Sequence, residues 1–226
     1  MPVRITRLTL GSGAFSVNAY VLETDIGFVL VDTGMRSHRT TLEQRLAQTG
    51  CTAGSLKLIF ITHGDFDHIG SAARLRHTYG APIAMHAGDA DMARLGDMFS
   101  GRKKPGVLAR TLLPLFARLP NDGRFEPDVL LDEASDLAEY GLPEARVLPL
   151  RGHSAGSIAL LLPDGSLFCG DLLENRSAPK LGSIMDDVPT AEASVERLKM
   201  LRVGTVYPGH GTPFAMSELG GAAGAG

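Results

Sequence analysis

The chain has 226 residues and a mass of 23.9 kDa, and 44% of its residues are hydrophobic, enough for a sizeable core in one large or two small domains. Its 22 basic and 25 acidic residues give a formal net charge of −3, which excludes a general basic surplus for binding nucleic acid or an anionic membrane. The two cysteines, Cys51 and Cys169, are too few for a disulfide framework and are predicted to be free thiols.

The first ten residues, "MPVRITRLTL", lack the apolar segment and the cleavage site of a secretory signal. No apolar run in the sequence approaches the length of a membrane-spanning helix. We therefore expect a cytoplasmic protein that acts on a small molecule, with no membrane association and with nucleic acid not favoured as a partner.

Short apolar runs alternate with segments of helical period along the chain. Strands are predicted at "NAYVLET", "GFVLVDTG", "LKLIFITH" and "APIAMH", and near residues 128–131, 147–150, 157–162, 167–169 and 205–207. Helices are predicted from about residue 37 to 50, over 71–79 and over 190–201. Strands that alternate with helices indicate an α/β protein. Turns at "DIG" and "PDG" require some antiparallel pairing, so we expect mixed sheets covered by helices.

Between residues 89 and 120, apolar residues recur at roughly helical spacing, interrupted by "GRKKPG" and kinked at Pro114. This pattern predicts a helical insert that either covers a substrate pocket or contributes to core or homodimer packing. The basic run "GRKK" is predicted to be a solvated loop. We expect a single domain over residues 1–215 that includes this insert, followed by a flexible tail over 216–226.

Histidines and aspartates stand directly after apolar runs, in a repeated order of strand, small residue, then ligand-type side chain. The stretch "ITHGDFDHIG" holds four of them, and "PLRGH", "LFCGD" and "VYPGH" add three more. The resulting candidate metal ligands are His63, Asp65, Asp67, His68, His153, Asp171 and His210. Seven ligands exceed the needs of one tetrahedral ion and suit two ions that share a hydroxide and a bridging carboxylate.

The other histidines do not share this order. His38 and His77 lie on predicted amphipathic helices and are interpreted as surface residues, and His86 is interpreted as structural. Asp32, at the end of "VLVD", is predicted to support the metal-bearing loop through hydrogen bonds.

These motifs resemble the metallo-β-lactamase fold superfamily of metal-dependent hydrolases, which includes glyoxalase II and lactonase-like enzymes. The family pattern T-H-x-H-x-D-H, Gly-His, Gly-Asp and Gly-His is present as "THGDFDHIG", "RGHSAGSIALLL", "FCGDLL" and "YPGHGTPF". The resemblance covers roughly residues 5–215. It implies a four-layer αββα sandwich of two mixed β-sheets, with the metals at the sheet edge.

The resemblance also implies how the ligands are divided between two divalent ions, with zinc expected first and manganese or iron as alternatives. His63, Asp65 and His153 would hold the first ion, and Asp67, His68 and His210 the second, with Asp171 between them. A hydroxide shared by the two ions would be the nucleophile, and Asp67 would steer it or pass on a proton.

Asp65 departs from the family pattern, which usually has histidine at this position. Three aspartates and a hydroxide balance the charge of two divalent ions, whereas a histidine at 65 would leave one positive charge. This count predicts weaker Lewis acids, a higher pKa for the shared water, and better competition by harder ions such as Mn²⁺ or Fe²⁺. The alternative is that Asp65 binds no metal and only one ion is retained.

The resemblance implies a metal-dependent hydrolase of an ester-like bond. Thioesters and lactones are favoured over phosphodiesters because the 89–120 segment is apolar and offers only "GRKK" to hold phosphate. The alternative is a diiron or mononuclear iron oxidoreductase on the same scaffold, similar to flavodiiron proteins or sulfur dioxygenases. A member of the fold that only binds a partner is disfavoured, because the set of ligand-type residues is complete.

Overall fold

Two β-sheets stacked face to face, with helices on both outer faces, make up the computed structural model, which describes residues 2–102 and 118–220. The first sheet has the order β1-β2-β3-β4-β5-β6, and the second has the order β13-β12-β9-β8-β7. Each sheet contains parallel and antiparallel pairs. The predicted α/β sandwich of two mixed sheets is therefore confirmed.

The first sheet contains β1 (Arg4–Leu10), β2 (Val17–Thr24), β3 (Gly27–Val31), β4 (Leu56–Phe60), β5 (Ile83–Met85) and β6 (Val129–Leu130). The second contains β7 (Arg146–Pro149), β8 (Ile158–Leu161), β9 (Leu167–Gly170), β12 (Thr205–Pro208) and β13 (Phe214–Ala215). A separate two-stranded ribbon pairs β10 (Leu173–Glu174) with β11 (Lys180–Leu181). The α-helices are α1 (Arg39–Gln48), α2 (Phe66–Ile69), α3 (Ala72–Tyr79), α4 (Ala87–Leu95) and α5 (Val188–Lys199).

The alternation of side chains along the strands produces the layers. On β2, Tyr20 and Leu22 enter the core between the two sheets, whereas Val21 enters the core under α1 and α3. On β9, Phe168 faces the core between the sheets, and Leu167 packs with the residues of α5. Strands of this kind are buried on both faces, which is why their sequences read as continuous apolar runs.

The structure differs from the predicted domain ends and insert in two places. Met216–Glu218 forms a short 3-10 helix, and Met216 and Leu219 pack against the core under α5, so the fold extends past residue 215. In the insert, α4 accounts for the helical pattern up to Leu95, whereas residues 103–117 lie outside the described part of the chain. Residues 221–226 of the predicted tail also lie outside it.

The loops that carry the candidate ligands follow four strands, β4, β7, β9 and β12. Two of these loops bond to a strand of the other sheet: Ile158 N of β8 donates to Thr62 O at 2.9 Å, and Asn18 N of β2 donates to Gly209 O at 2.8 Å. The ends of both sheets therefore meet at one edge. None of the helices in residues 2–102 and 118–220 is long and apolar enough to cross a membrane. Cys51 and Cys169 are buried free thiols, as predicted.

Candidate metal site

The seven candidate ligands converge at this shared sheet edge in overlapping groups whose ligand atoms lie within 4.8 Å of one another. In the first group, Asp65 Oδ2 lies 3.0 Å from His153 Nε2 and 3.7 Å from His63 Nε2. These three residues come from two different halves of the chain. The structure thus assembles the set that the sequence assigned to a first ion.

The second group contains Asp67, His68 and His210. Asp67 Oδ2 lies 3.4 Å from His210 Nε2 and 3.9 Å from His68 Nε2. Asp171 lies between the two groups, because its Oδ1 is 3.3 Å from His68 Nε2 and its Oδ2 is 4.0 Å from His63 Nε2. A carboxylate in this position can contact ions in both groups.

The four histidines present the same ring nitrogen to the site. The Nδ1 atoms of His153 and His210 each lie 2.7 Å from a backbone carbonyl oxygen, of Ile184 and Ser16 respectively. A carbonyl oxygen can only accept a hydrogen bond, so both Nδ1 atoms carry a proton and Nε2 is the atom left for a metal. Hydrogen bonds that hold the outer ring nitrogen are typical of metal-ligating histidines.

The remaining two histidines are held by one aspartate, Asp32. Its Oδ2 accepts from His68 Nδ1 at 2.8 Å and from Thr62 Oγ1 at 2.8 Å, and Thr62 Oγ1 lies 2.9 Å from His63 Nδ1. Since the Thr62 hydroxyl donates to Asp32, it accepts from His63. The predicted support of the metal-bearing loop by Asp32 is confirmed. Asp32 adopts a left-handed backbone conformation with φ 59°, which is unusual for a residue other than glycine.

Three buried atoms at the centre make no hydrogen bond of good geometry within the described part of the chain: His63 Nε2, His68 Nε2 and Asp171 Oδ1, the last two lying 3.3 Å apart. Buried polar groups are nearly always paired, because leaving one unpaired costs about 1–3 kcal/mol. Imidazole nitrogen and carboxylate oxygen are the donor types that zinc, manganese and iron accept. The residues present therefore fit divalent ions.

The charges of the site favour bound cations. Burial lowers the pKa of His63, and the nearby His68 and His153 lower it further. Burial opposes ionisation of Asp171, yet His68 and His210 hold its pKa well below the usual range. Burial would also lower the pKa of His210, but Asp171 raises it to about 10. The carboxylates thus attract positive charge, either as protons on imidazole or as metal ions that displace those protons.

Glycines precede four of the ligands, Asp65, His153, Asp171 and His210, because the chain is crowded there. Gly170, before Asp171, has φ +53°, and a Cβ on it would lie 2.7 Å from Thr62 Oγ1. A Cβ on Gly209, before His210, would overlap Asp171 Oδ1 itself. The order of small residue then ligand reflects this close approach of backbone to the site.

Asp89 is a site-supporting residue that the sequence did not reveal. It is buried, and its carboxylate accepts hydrogen bonds from Gly64 N at 2.9 Å, Ser154 Oγ at 2.6 Å and Gly156 N at 2.8 Å. It therefore ties the loop of His63 and Asp65 to the loop of His153. Aspartate is common in the first turn of a helix, because its negative charge interacts favourably with the positive end of the helix dipole. The sequence therefore carried no distinct signal of a role for Asp89 in the site.

Arg102 corrects the interpretation of "GRKK" as a solvated loop. Its side chain is only 4% exposed and forms an ion pair with Asp65, with further bonds to Asp186 and His153. Burial would raise the pKa of Asp65, but His153, His63 and Arg102 hold it below its ordinary value. The charge count made for Asp65 from sequence omitted this arginine. Lys103 and Lys104 lie outside the described residues.

The other histidines lie apart from the seven-residue cluster. His86 precedes α4, and its Nδ1 accepts from Gly88 N at 2.9 Å, which is a structural role. His77 is exposed on α3, and His38 is half-buried beside α1. The position of His77 agrees with the sequence interpretation, whereas His38 is less exposed than expected, because its Nδ1 is buried.

A family model described as the metallo-beta-lactamase superfamily matches residues 12–210 of the chain, which includes all seven candidate ligands. The chain belongs to this superfamily. The membership and the histidine–aspartate groups together support metal binding by this member.

Members of the superfamily with similar sequences include a probable metallo-hydrolase, YflN, of Bacillus subtilis, which is 26% identical over 83% of this chain and 76% of its own length. The hydroxyacylglutathione hydrolase GloC of Haemophilus influenzae is 24% identical, covering 88% of this chain and 87% of its own length. Among solved structures, TTHA1623 in a di-iron-bound form has a TM-score of 0.70 and 28% identity, covering 94% of this chain and 95% of that one.

Proposed function

We propose that this member of the superfamily is a hydrolase that binds two divalent metal ions and cleaves an ester-like bond, with thioesters and lactones as the favoured substrates. The observation that carries the proposal is the convergence of seven ligand-type side chains around three buried atoms that make no hydrogen bond of good geometry in the described structure. The similarity to proteins named metallo-hydrolase and hydroxyacylglutathione hydrolase supports the same reaction class.

Bound ions would supply a water of lowered pKa and would polarise the substrate carbonyl. The protein residues hold those ions: His63, Asp65 and His153 in one position, and Asp67, His68 and His210 in the other. Asp171 and Asp67 have side chains 15% and 16% exposed, so they face the opening of the site, whereas His63 and His68 lie at its base. Asp67 is accordingly assigned to hold a metal and to accept or pass on a proton at its carboxylate.

The opening of the site supports a substrate with an apolar part. The described residues enclose a cavity of about 80 Å³ beside His153, Asp171 and His210, which admits only the reacting group of a substrate. One exposed apolar side chain lines this cavity: Ile184, which is 64% exposed and whose own carbonyl binds His153. Such a side chain suits an acyl chain or a lactone ring.

A phosphodiester substrate has less support. Arg102 is already paired with Asp65 and Asp186, and Arg176, which lines the cavity, has Glu174 3.5 Å away. Cations engaged in this way offer less to a phosphate than unpaired ones would. The iron oxidoreductase alternative has one point in its favour, the di-iron-bound form of TTHA1623, but YflN and GloC are named as hydrolases.

The proposal is tested by metal analysis of the purified protein, followed by assays of thioester, lactone, phosphodiester and β-lactam substrates with Zn²⁺, Mn²⁺ and Fe²⁺. We expect turnover of a thioester or lactone that falls at least about a hundredfold in His210→Ala, since removal of a metal ligand disables the site. His77→Ala, which changes an exposed histidine, is the matched control and should retain activity. Iron-dependent oxygen consumption without hydrolysis would contradict the proposal.

A further inference from the structure

The side chain of Arg102 is enclosed between two aspartates at the edge of the first ligand group. Its Nη1 forms the ion pair with Asp65 Oδ1, its Nε donates to Asp186 Oδ2 at 2.9 Å, and its Nη2 donates to His153 O at 2.7 Å. Asp186 is itself anchored, because its backbone N donates to Gly152 O at 2.8 Å. Three separate contacts therefore hold the guanidinium in one place.

The guanidinium lies close enough to the first metal position for its charge to act on an ion bound there. Arg102 Nη2 lies 3.3 Å from His153 Nε2, the ring nitrogen left for a metal because Nδ1 donates to Ile184 O. Arg102 thus contacts two of the three residues in the first group, His153 and Asp65. Within the described part of the chain, Arg102 makes no hydrogen bond or ion pair with Asp67, His68 or His210, so it does not contact the second group directly.

A guanidinium keeps its positive charge at every pH that a protein tolerates, so it cannot avoid repulsion by losing a proton. A divalent ion bound to His153 Nε2 and Asp65 Oδ2 would lie within a few ångströms of that charge. The arginine and the ion would also share the Asp65 carboxylate. Both effects weaken the binding of the ion, and neither acts on the second position to the same degree.

We propose that Arg102 competes with the metal ion of the first position and makes the two metal positions unequal in affinity. The second position, of Asp67, His68 and His210, fills first and binds more tightly. The first position fills at higher metal concentration, when the ion displaces Nη2 from His153. Asp65 and Arg102 act as a pair in this scheme, since the aspartate that replaces the family's histidine is one of the three groups that hold the arginine in the site.

The test is an equilibrium titration of metal-free protein with Co²⁺, followed by its visible absorption, and with Zn²⁺ in competition with a chelator. The wild-type protein should take up one equivalent tightly and a second more weakly. Arg102→Gln removes the charge and should tighten the weaker equivalent by about tenfold or more. Arg102→Lys keeps the positive charge but loses the planar guanidinium group. The affinity for the weaker equivalent in this variant should stay closer to that of the wild type.

Arg118→Gln is the matched control, because Arg118 lies on the same insert but is 67% exposed, and its ion-pair partner among the described residues is Asp97, at 3.7 Å. It should bind both equivalents as the wild type does. The Arg102→Gln comparison is then repeated in a His210→Gln background, which lacks a ligand of the second position. Tighter metal binding that persists in this background is assigned to the first position. Circular dichroism of each variant verifies that it is folded.

The competition by Arg102 rests on the proposed metal site, and the titration distinguishes failure of the competition from failure of the metal site. Unchanged or weaker binding of the second equivalent in Arg102→Gln would overturn the competition and leave the metal site in place. Absence of metal binding in all variants would overturn the proposed function as well.

Discussion

Asp32 Oδ2 lies 2.8 Å from His68 Nδ1, and the same carboxylate binds the backbone N and the hydroxyl of Thr62, so one buried aspartate sets the orientation of two histidine rings. Asp32 has a left-handed backbone, with φ 59°. A strained residue of this kind persists only where its surroundings hold it. The orientation of His63 and His68 therefore depends on Asp32 although Asp32 is not a candidate ligand.

We expect Asp32→Asn to weaken metal binding by about 10- to 100-fold, because an amide offers one acceptor oxygen where the carboxylate bonds to three donors. The measurement is the dissociation constant for Zn²⁺ from chelator competition. Asp136→Asn, at an exposed position, is the control and should bind zinc like the wild type. An Asp32 variant with unchanged zinc affinity would show that the rings are held by packing alone.

Asp89 provides a prediction about stability. Asp89→Ala leaves Gly64 N and Gly156 N buried without their acceptor, so we expect the free energy of unfolding to fall by about 2–4 kcal/mol. The measurement is equilibrium denaturation by urea of metal-free protein. Asp91→Ala on the same helix removes an exposed ion pair with Arg94 and should change the stability by less than about 0.5 kcal/mol. Equal losses in the two variants would contradict the assigned role of Asp89.

Gly209 leaves the space that the Asp171 carboxylate occupies, and a substitution there tests this relationship. A methyl group at this position would overlap Asp171 Oδ1 and lie 2.7 Å from His68 Cε1, so Gly209→Ala should displace Asp171 and reduce the amount of metal bound per chain. Gly204→Ala is the control, because its methyl group would meet only Gly165 O, at 3.8 Å. Metal content of the two purified variants is the measurement. Full metal content in Gly209→Ala would show that the loop can move aside.

Metal removal should leave the protein folded. The outer ring nitrogens of all four histidines already have partners in the protein, so the site is assembled without the ion. After chelation we expect native circular dichroism and a lower Tm. Restoring metal at about a hundred times its Kd should return about 2.7 kcal/mol of stability. Loss of native circular dichroism on chelation would mean that the ion is required for folding.

The sequence predicted the ligand cluster because His63, His153, Asp171 and His210 each follow a buried strand and a small residue, and Asp65, Asp67 and His68 stand within five residues of His63. That pattern can be recognised without knowledge of the fold. The sequence predicted the longer strands for the same reason, since β2, β3 and β4 are continuous apolar runs. It missed β1, where exposed residues such as Arg4 and Arg7 interrupt the run, and the two-residue strands β10, β11 and β13, which are too short to show a period.

Arg102 and Asp89 were missed for a different reason. Each is a charged residue in a position where charge is normally solvated, Arg102 in a basic turn and Asp89 at the start of a helix. What distinguishes them is burial beside partners from the second half of the chain: Asp186 and His153 for Arg102, and Ser154 and Gly156 for Asp89. Those pairings arise only once the two sheets are packed, so no local pattern in the sequence reveals them.

Each of the two ligand groups draws on both halves of the chain, His153 joining the first and His210 the second. A nascent chain therefore holds no complete group until the second sheet has formed, and the "HGDFDH" turn by itself is an incomplete chelator. Metal acquisition must come after the two halves have packed. Each bound ion would then act as a cross-link between them, resisting any separation of the sheets at the edge where the substrate enters.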